Sequence, residues 1–131
     1  MRQRGLRRPR RRAAHGGTPR NPRADARHAP RTAGVPRSSV DSAAQFFQAL
    51  SHPIRLGVLA LLVRDGRKSA GELGIALRVE ASSLSHQLRA LREARLVVAE
   101  RRGRQILYRL HDQHVAHIVS DALAHVEESL R

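Results

Sequence analysis

Between His111 and Leu130 the chain carries four of its eight histidines, at positions 111, 114, 117 and 125, interleaved with Asp112, Asp121, Glu127 and Glu128. Imidazole and carboxylate are ligands for zinc and its neighbours, so the chemistry on offer is metal binding. Val115, Ile118, Val119, Ala122, Val126 and Leu130 recur at helical spacing. On such a helix His125 and Glu128, three apart, share a face. Asp112 and His114, two apart, converge only if Asp112 stands at the helix start, where aspartate is a favoured N-cap. His114 and His125 lie eleven residues apart, near three whole turns, and so on one face. Over that span a helix rises roughly 16 Å, against bonds of about 2 Å from zinc to nitrogen. One helix therefore cannot bring both pairs to one ion. Two copies running antiparallel about a twofold axis can, with Asp112 and His114 of one meeting His125 and Glu128 of the other in two equivalent sites. The residues alone leave a second reading open: an amphipathic packing helix with a solvated histidine-bearing face, and His114 and His125 merely at a dimer seam.

The elements that would position this helix are legible upstream. Ser39 or Asp41 is expected to cap a first helix running to Leu50, and Ser51 to cap a second with Pro53 in its first turn. Ile54, Leu56, Val58, Leu59, Leu61, Leu62 and Val63 make that second helix apolar on most faces, and Asp65-Gly66 ends it. Ser69 is expected to cap a third helix, Ala70 to Leu77. After the turn Arg78-Val79-Glu80, a fourth runs from about Ala81 to Ala94 on a Leu84, Leu88, Leu91 stripe. Two short helices joined by so brief a turn form a helix-turn-helix. The outer face expected for the second of them is Ser82, Ser83, Ser85, His86, Gln87 and Arg89, small or hydrogen-bonding residues suited to phosphates and base edges. Leu96 to Glu100 and Gln105 to Leu110 flank Arg101-Arg102-Gly103-Arg104, which predicts a β-hairpin with a basic tip. Placed after the helix pair, that hairpin is a wing, and Arg102 and Arg104 are its candidate DNA contacts.

Composition narrows the function classes. The 131 residues include no cysteine, which excludes disulfides and thiolate metal sites. Phe46, Phe47 and Tyr108 are the only aromatics, too few for base-stacking recognition of single strands. The formal net charge of +14 makes a polyanion the default partner. No apolar run approaches a membrane span, so no membrane partner is expected. No glycine-rich phosphate loop, nucleophile motif or open metal site with a general base is present, so no enzymatic activity is expected. Residues 1–38 hold twelve arginines and one acid, Asp25, with prolines at 9, 19, 22, 30 and 36. Such a segment buries too little to offset its ordering entropy and is expected to be a disordered tail, leaving 39–131 as the folded domain. The tail could add sequence-blind affinity for DNA phosphates. His15 and His28 could lend it metal ligands, or its composition could reflect a GC-rich frame read from too early a start.

Taken in order, Ala49-Leu50-Ser51-His52-Pro53-Ile54-Arg55-Leu56, Ser82 to Arg92 and Gly103 to Leu110 resemble the ArsR/SmtB family of winged-helix metal-sensing repressors. The resemblance covers about residues 42–130. It implies a mostly α fold with a small β-hairpin wing, dimeric through its first and last helices. It implies that the metal-free homodimer binds palindromic double-stranded operator DNA in the bacterial cytoplasm, and that metal releases it. It also implies a metal pattern, Asp-x-His, ten residues, His-x-x-Glu, which falls on Asp112, His114, His125 and Glu128. By the same resemblance, the far nitrogen of His125 couples to the carbonyl of Arg95 just after the reading helix. The family's cysteine site near the third helix looks absent, because Ser69 and Ala70 stand there. Ala81 stands where some relatives carry a base-reading glutamine, which leaves the operator sequence open. Two histidines and two carboxylates suit tetrahedral zinc, and cobalt would fit similarly; nickel, which prefers more ligands, would draw on His117 or His111. The rival reading is a winged-helix DNA-binding regulator that senses no metal.

Overall fold

Proline 36 sets where regular structure begins. In the computed structural model, which describes residues 34–131, it stands at the N-cap of helix α1 (Arg37–Leu50) and its carbonyl accepts from Ser39 and Val40 N–H. The cap expected from Ser39 or Asp41 is thus displaced: both residues lie inside the helix, and no side chain caps it. Arg37 and Ser38, assigned to the tail by composition, belong to α1, and the folded unit runs Val35–Arg131. Residues 1–33, which hold most of the expected tail, lie outside the described residues.

Helix α2 (Pro53–Asp65) has proline in its first turn, where the missing N–H costs nothing. Its cap is His52, not Ser51: the His52 Nδ1 accepts from Ile54 N–H at 3.1 Å, while Ser51 closes α1. Strand β1 (Lys68–Ser69), unforeseen from sequence because two residues carry no period, leads into α3 (Ala70–Leu77). Ser69 caps α3 as expected, in a reciprocal box: its Oγ accepts from Glu72 N–H at 3.2 Å and its own N–H donates to Glu72 Oε1 at 3.1 Å. Arg78 leaves α3 in a left-handed turn, and Val79 N–H returns to the Gly74 carbonyl. A side chain at Gly74 would start 3.3 Å from the Val79 carbonyl oxygen, so glycine lets the turn fold back tightly.

Helix α4 (Ala81–Glu93) follows, then strands β2 (Val97–Arg102) and β3 (Gln105–Leu110), and finally α5 (Gln113–Ser129). The strands form one antiparallel sheet in the order β1-β3-β2, with Lys68 and Ala99 both opposite Tyr108. Gly103, at φ +62°, makes the hairpin turn that a side chain would strain. One core joins all the helices: Leu59, Leu62, Leu73, Leu84, Leu91, Leu96 and Val119 are each at most 2% exposed. Burying a side chain of this size contributes roughly 1.5–3 kcal/mol. Among the described residues, no single helix is long and apolar enough to cross a membrane.

Candidate nucleic-acid interface and metal-ligating helix

Burying the Leu84, Leu88 and Leu91 stripe forces the opposite side of α4 outward. Ser82, Ser83, Ser85, His86 and Arg89 are all exposed there, and Ser82, Ser85, His86 and Arg89 line one shallow surface. Gln87 departs from the expected outer face. It is half-buried, and its Oε1 accepts from Arg55 Nε at 2.7 Å. The same guanidinium donates through Nη1 to the Ala49 carbonyl at 3.2 Å. Arg55 thereby ties the end of α1, the start of α2 and the middle of α4 together. No sequence signal marks a partner 32 positions away.

The wing presents Arg101, Arg102 and Arg104 at its exposed tip. Arg101, which sequence reasoning did not single out, donates to the Gly103 carbonyl at 3.4 Å. At the base of the wing Glu100 collects three arginines: it is hydrogen-bonded to Arg109, 3.3 Å from Arg67 and 3.9 Å from Arg102. These contacts, Arg109 foremost, hold the Glu100 carboxyl below the usual glutamate range. Arg104 has no ion-pair partner among the described residues, and its guanidinium is available to an external anion.

Just after β3, Asp112 is the N-cap of α5, the position that convergence with His114 requires. Its Oδ1 accepts from Val115 N–H at 3.0 Å, and its Oδ2 lies 3.3 Å from His111 Nδ1. The Val115 N–H first, and His111 after it, keep this carboxyl below the usual aspartate range, in the ionised form a metal ligand needs. His114, His125 and Glu128 are exposed. Val115 and Val119 bury the opposite stripe of the helix against the core. Within one chain the two halves of the ligand set stay apart: among the described residues, no group of three or more metal-ligating side chains comes together. The donors themselves, imidazole and ionised carboxylate, fit zinc, and the cap hydrogen bond holds Asp112 in place at the start of the helix that carries His114.

Arg95, the expected coupling partner of His125, sits in the turn that ends α4, at φ +59°. Its N–H donates to the Arg92 carbonyl and the next residue, Leu96, reaches back to Leu91. Among the described residues no hydrogen bond joins His125 to Arg95. A different link runs nearby: His111 N–H donates to the Leu96 carbonyl at 2.9 Å, fastening the residue before the α5 cap to the exit of the reading helix.

Exposed apolar side chains stand on α1 and at the end of α5, as well as at Ile75 on α3 and Ile106 on β3. Phe47 is 56% exposed, Val126 53% and Leu130 81%. Val126 and Leu130 flank Glu128 at the end of α5, as an interface between two such helices would require.

Residues 50–100 match a protein-family model described as a helix-turn-helix domain. The transcriptional repressor SmtB of Mycobacterium tuberculosis is 42% identical over 93 residues, which cover 71% of this chain and 68% of that protein. The crystal structure of the repressor BigR from Xylella fastidiosa superposes with a TM-score of 0.62 at 36% identity, covering 68% of this chain and 89% of that one. A homodimeric winged helix-turn-helix DNA-binding domain from Mycobacterium bovis, solved by NMR, gives a TM-score of 0.66 at 27% identity, covering 76% and 94%. With its helix pair, basic hairpin and flanking helices in the same order, the chain belongs to the ArsR/SmtB family of winged helix-turn-helix transcriptional regulators.

Proposed function

We propose that the protein is a homodimeric, metal-responsive transcriptional repressor. The metal-free dimer binds a twofold operator in double-stranded DNA through α4 and the wing. Ser82, Ser83, Ser85, His86 and Arg89 face the major groove, and Arg102 and Arg104 meet the backbone. Gln87 joins the interface only if it leaves Arg55, and in the fold described here it positions α4 instead. The arginines of residues 1–38 add sequence-blind, salt-sensitive affinity.

The observation that carries the metal reading is the placing of Asp112 as the α5 cap, with His114 beside it and His125 and Glu128 exposed toward the far end of the same helix. Asp112 and His114 of one subunit, with His125 and Glu128 of its partner, make two equivalent four-ligand sites. Zinc, or alternatively nickel or cobalt, would supply there a fixed tie between the two C-terminal helices. Two contacts of the protein can relay that tie to DNA. The His111–Leu96 backbone bond joins the α5 cap to the exit of α4, and a His125–Arg95 bond would form only in the rearranged dimer. Coupling of this kind is reciprocal and typically amounts to about 1–3 kcal/mol.

Zinc titrated calorimetrically into the purified dimer, with and without operator duplex, tests the reading. Two zinc ions per dimer, bound less tightly on DNA, are expected. A regulator that senses no metal would bind DNA identically with and without zinc.

A further inference from the structure

A second polar recess adjoins the reading face. Ser85, Arg89, Arg92, Glu93 and Tyr108 line an open cleft of about 620 Å³ between α4 and the sheet. Ser85 and Arg89 also line the shallow surface with Ser82 and His86, so one continuous surface runs from the reading face into the cleft. Its far wall is rigid: Tyr108 sits on β3, the central strand, registered against Lys68 on one side and Ala99 on the other. The Tyr108 hydroxyl makes no hydrogen bond among the described residues, nor does Arg92 have an ion-pair partner there. Arg89 differs: its Nε lies 3.4 Å from Glu93 Oε1. With side chains 80% and 71% exposed, that pair does little for stability.

We propose that this cleft takes a backbone phosphate of the DNA duplex, next to the stretch of major groove that α4 reads, and that Glu93 weakens the site. Arg89 and Arg92 supply the cations, and the Tyr108 hydroxyl supplies a neutral donor from the sheet. In the free protein the Glu93 carboxylate occupies Arg89. On DNA the phosphate displaces it and leaves a carboxylate beside a phosphate. Such a residue lowers affinity for every sequence alike and leaves discrimination to base contacts, because a phosphate carries no sequence information. This inference rests on the DNA-binding reading above, adds to it Arg92, Tyr108 and the opposing role of Glu93, and gives Arg89, at the edge of the groove face, a backbone phosphate in place of a base edge.

The test uses the full-length, metal-free dimer and two duplexes of about 30 base pairs. One carries a sequence the protein itself has selected from a random pool, the other its scrambled version. Glu93→Gln should tighten both by the same factor, on the order of threefold to tenfold, and steepen the salt dependence by about 0.9. Arg92→Ala should weaken both equally and flatten the salt dependence by about the same amount. Tyr108→Phe should weaken both without changing the slope, and melting temperatures should track wild type for Glu93→Gln. Because Glu93→Gln gains affinity, misfolding cannot imitate it. Unchanged affinity and slope in Glu93→Gln, or wild-type binding by Tyr108→Phe, would overturn the proposal. His86→Ala separates the two levels. If it relaxes sequence preference while the cleft variants do nothing, the cleft is wrong and the DNA reading stands. If wild type shows no preference between the duplexes, both fall.

Discussion

The reading head and the last helix solve opposite problems. Helices α3 and α4 and the wing are complete within one chain. Their core-facing leucines are sealed, with Leu73, Leu84 and Leu91 at most 1% exposed even though Ile75 and Ile106 stand in solvent, and Arg55 fixes α4 through Gln87. Helix α5 is complete only along its first half. Val115 and Val119 are buried there, whereas Val126 and Leu130 stand in solvent beside His125 and Glu128. In the proposed function, the surface that meets DNA, a partner of fixed shape, is finished in advance, and the surface that meets another copy of the chain is left half-built, its metal chemistry halved with it.

The contrast can be broken most forcefully in the core. Leu91→Ala, at a fully buried site, should cost about 2–5 kcal/mol of folding stability at any protein concentration, read from chemical denaturation. Val126→Asp should do the reverse. It should leave the stability of the isolated chain near wild type and weaken the dimer by roughly the 1.5–3 kcal/mol that burying valine contributes, read from sedimentation. A Val126→Asp protein that remained a dimer but melted early would erase the distinction between the two regions.

Smaller effects sharpen it. His52→Ala removes the acceptor that caps α2 and should cost about 1 kcal/mol, with His52→Asn recovering most of it. Equal stability of all three proteins would show that the cap contributes nothing. The smallest effect concerns acid. The Glu100 carboxyl is depressed in the folded state by Arg109, so its contribution is present above the ordinary glutamate range and is lost as pH falls through the lower, folded value. Glu100→Gln should therefore flatten the acid limb of the stability curve by lowering stability at neutral pH, with the two proteins converging once pH falls below the folded value. A variant as acid-sensitive as wild type would remove Glu100 from that limb.

Much of this was legible in the sequence wherever a period or a cap was involved. The leucine stripe of α4, the Ser69 cap and the Asp112 cap each act within one turn, so nearest neighbours determine them. What was missed depends on contacts between distant residues or on ambiguous local choices. Ser51 and His52 both offer a cap before Pro53, and only the extended backbone of His52 turns its Nδ1 onto Ile54. Gln87 looked outward by composition, yet Arg55 reaches it across the helix pair. The Glu100 cluster and the Tyr108 cleft exist only once β3 lies in the middle of the sheet. The metal-ligand set shows the opposite asymmetry. Spacing along α5 identifies it, while a single folded chain keeps its halves apart.

The central claim, a ligand set shared between two subunits, is tested most directly by a mixed dimer. One subunit carries His114→Ala and the other His125→Ala, isolated as the heterodimer with two different affinity tags. Both lesions then fall in the same shared site and the other site stays whole. The account predicts one zinc ion per dimer, bound at wild-type affinity. If each site instead lay within one chain, neither would be intact, and a heterodimer without tight zinc would contradict the account.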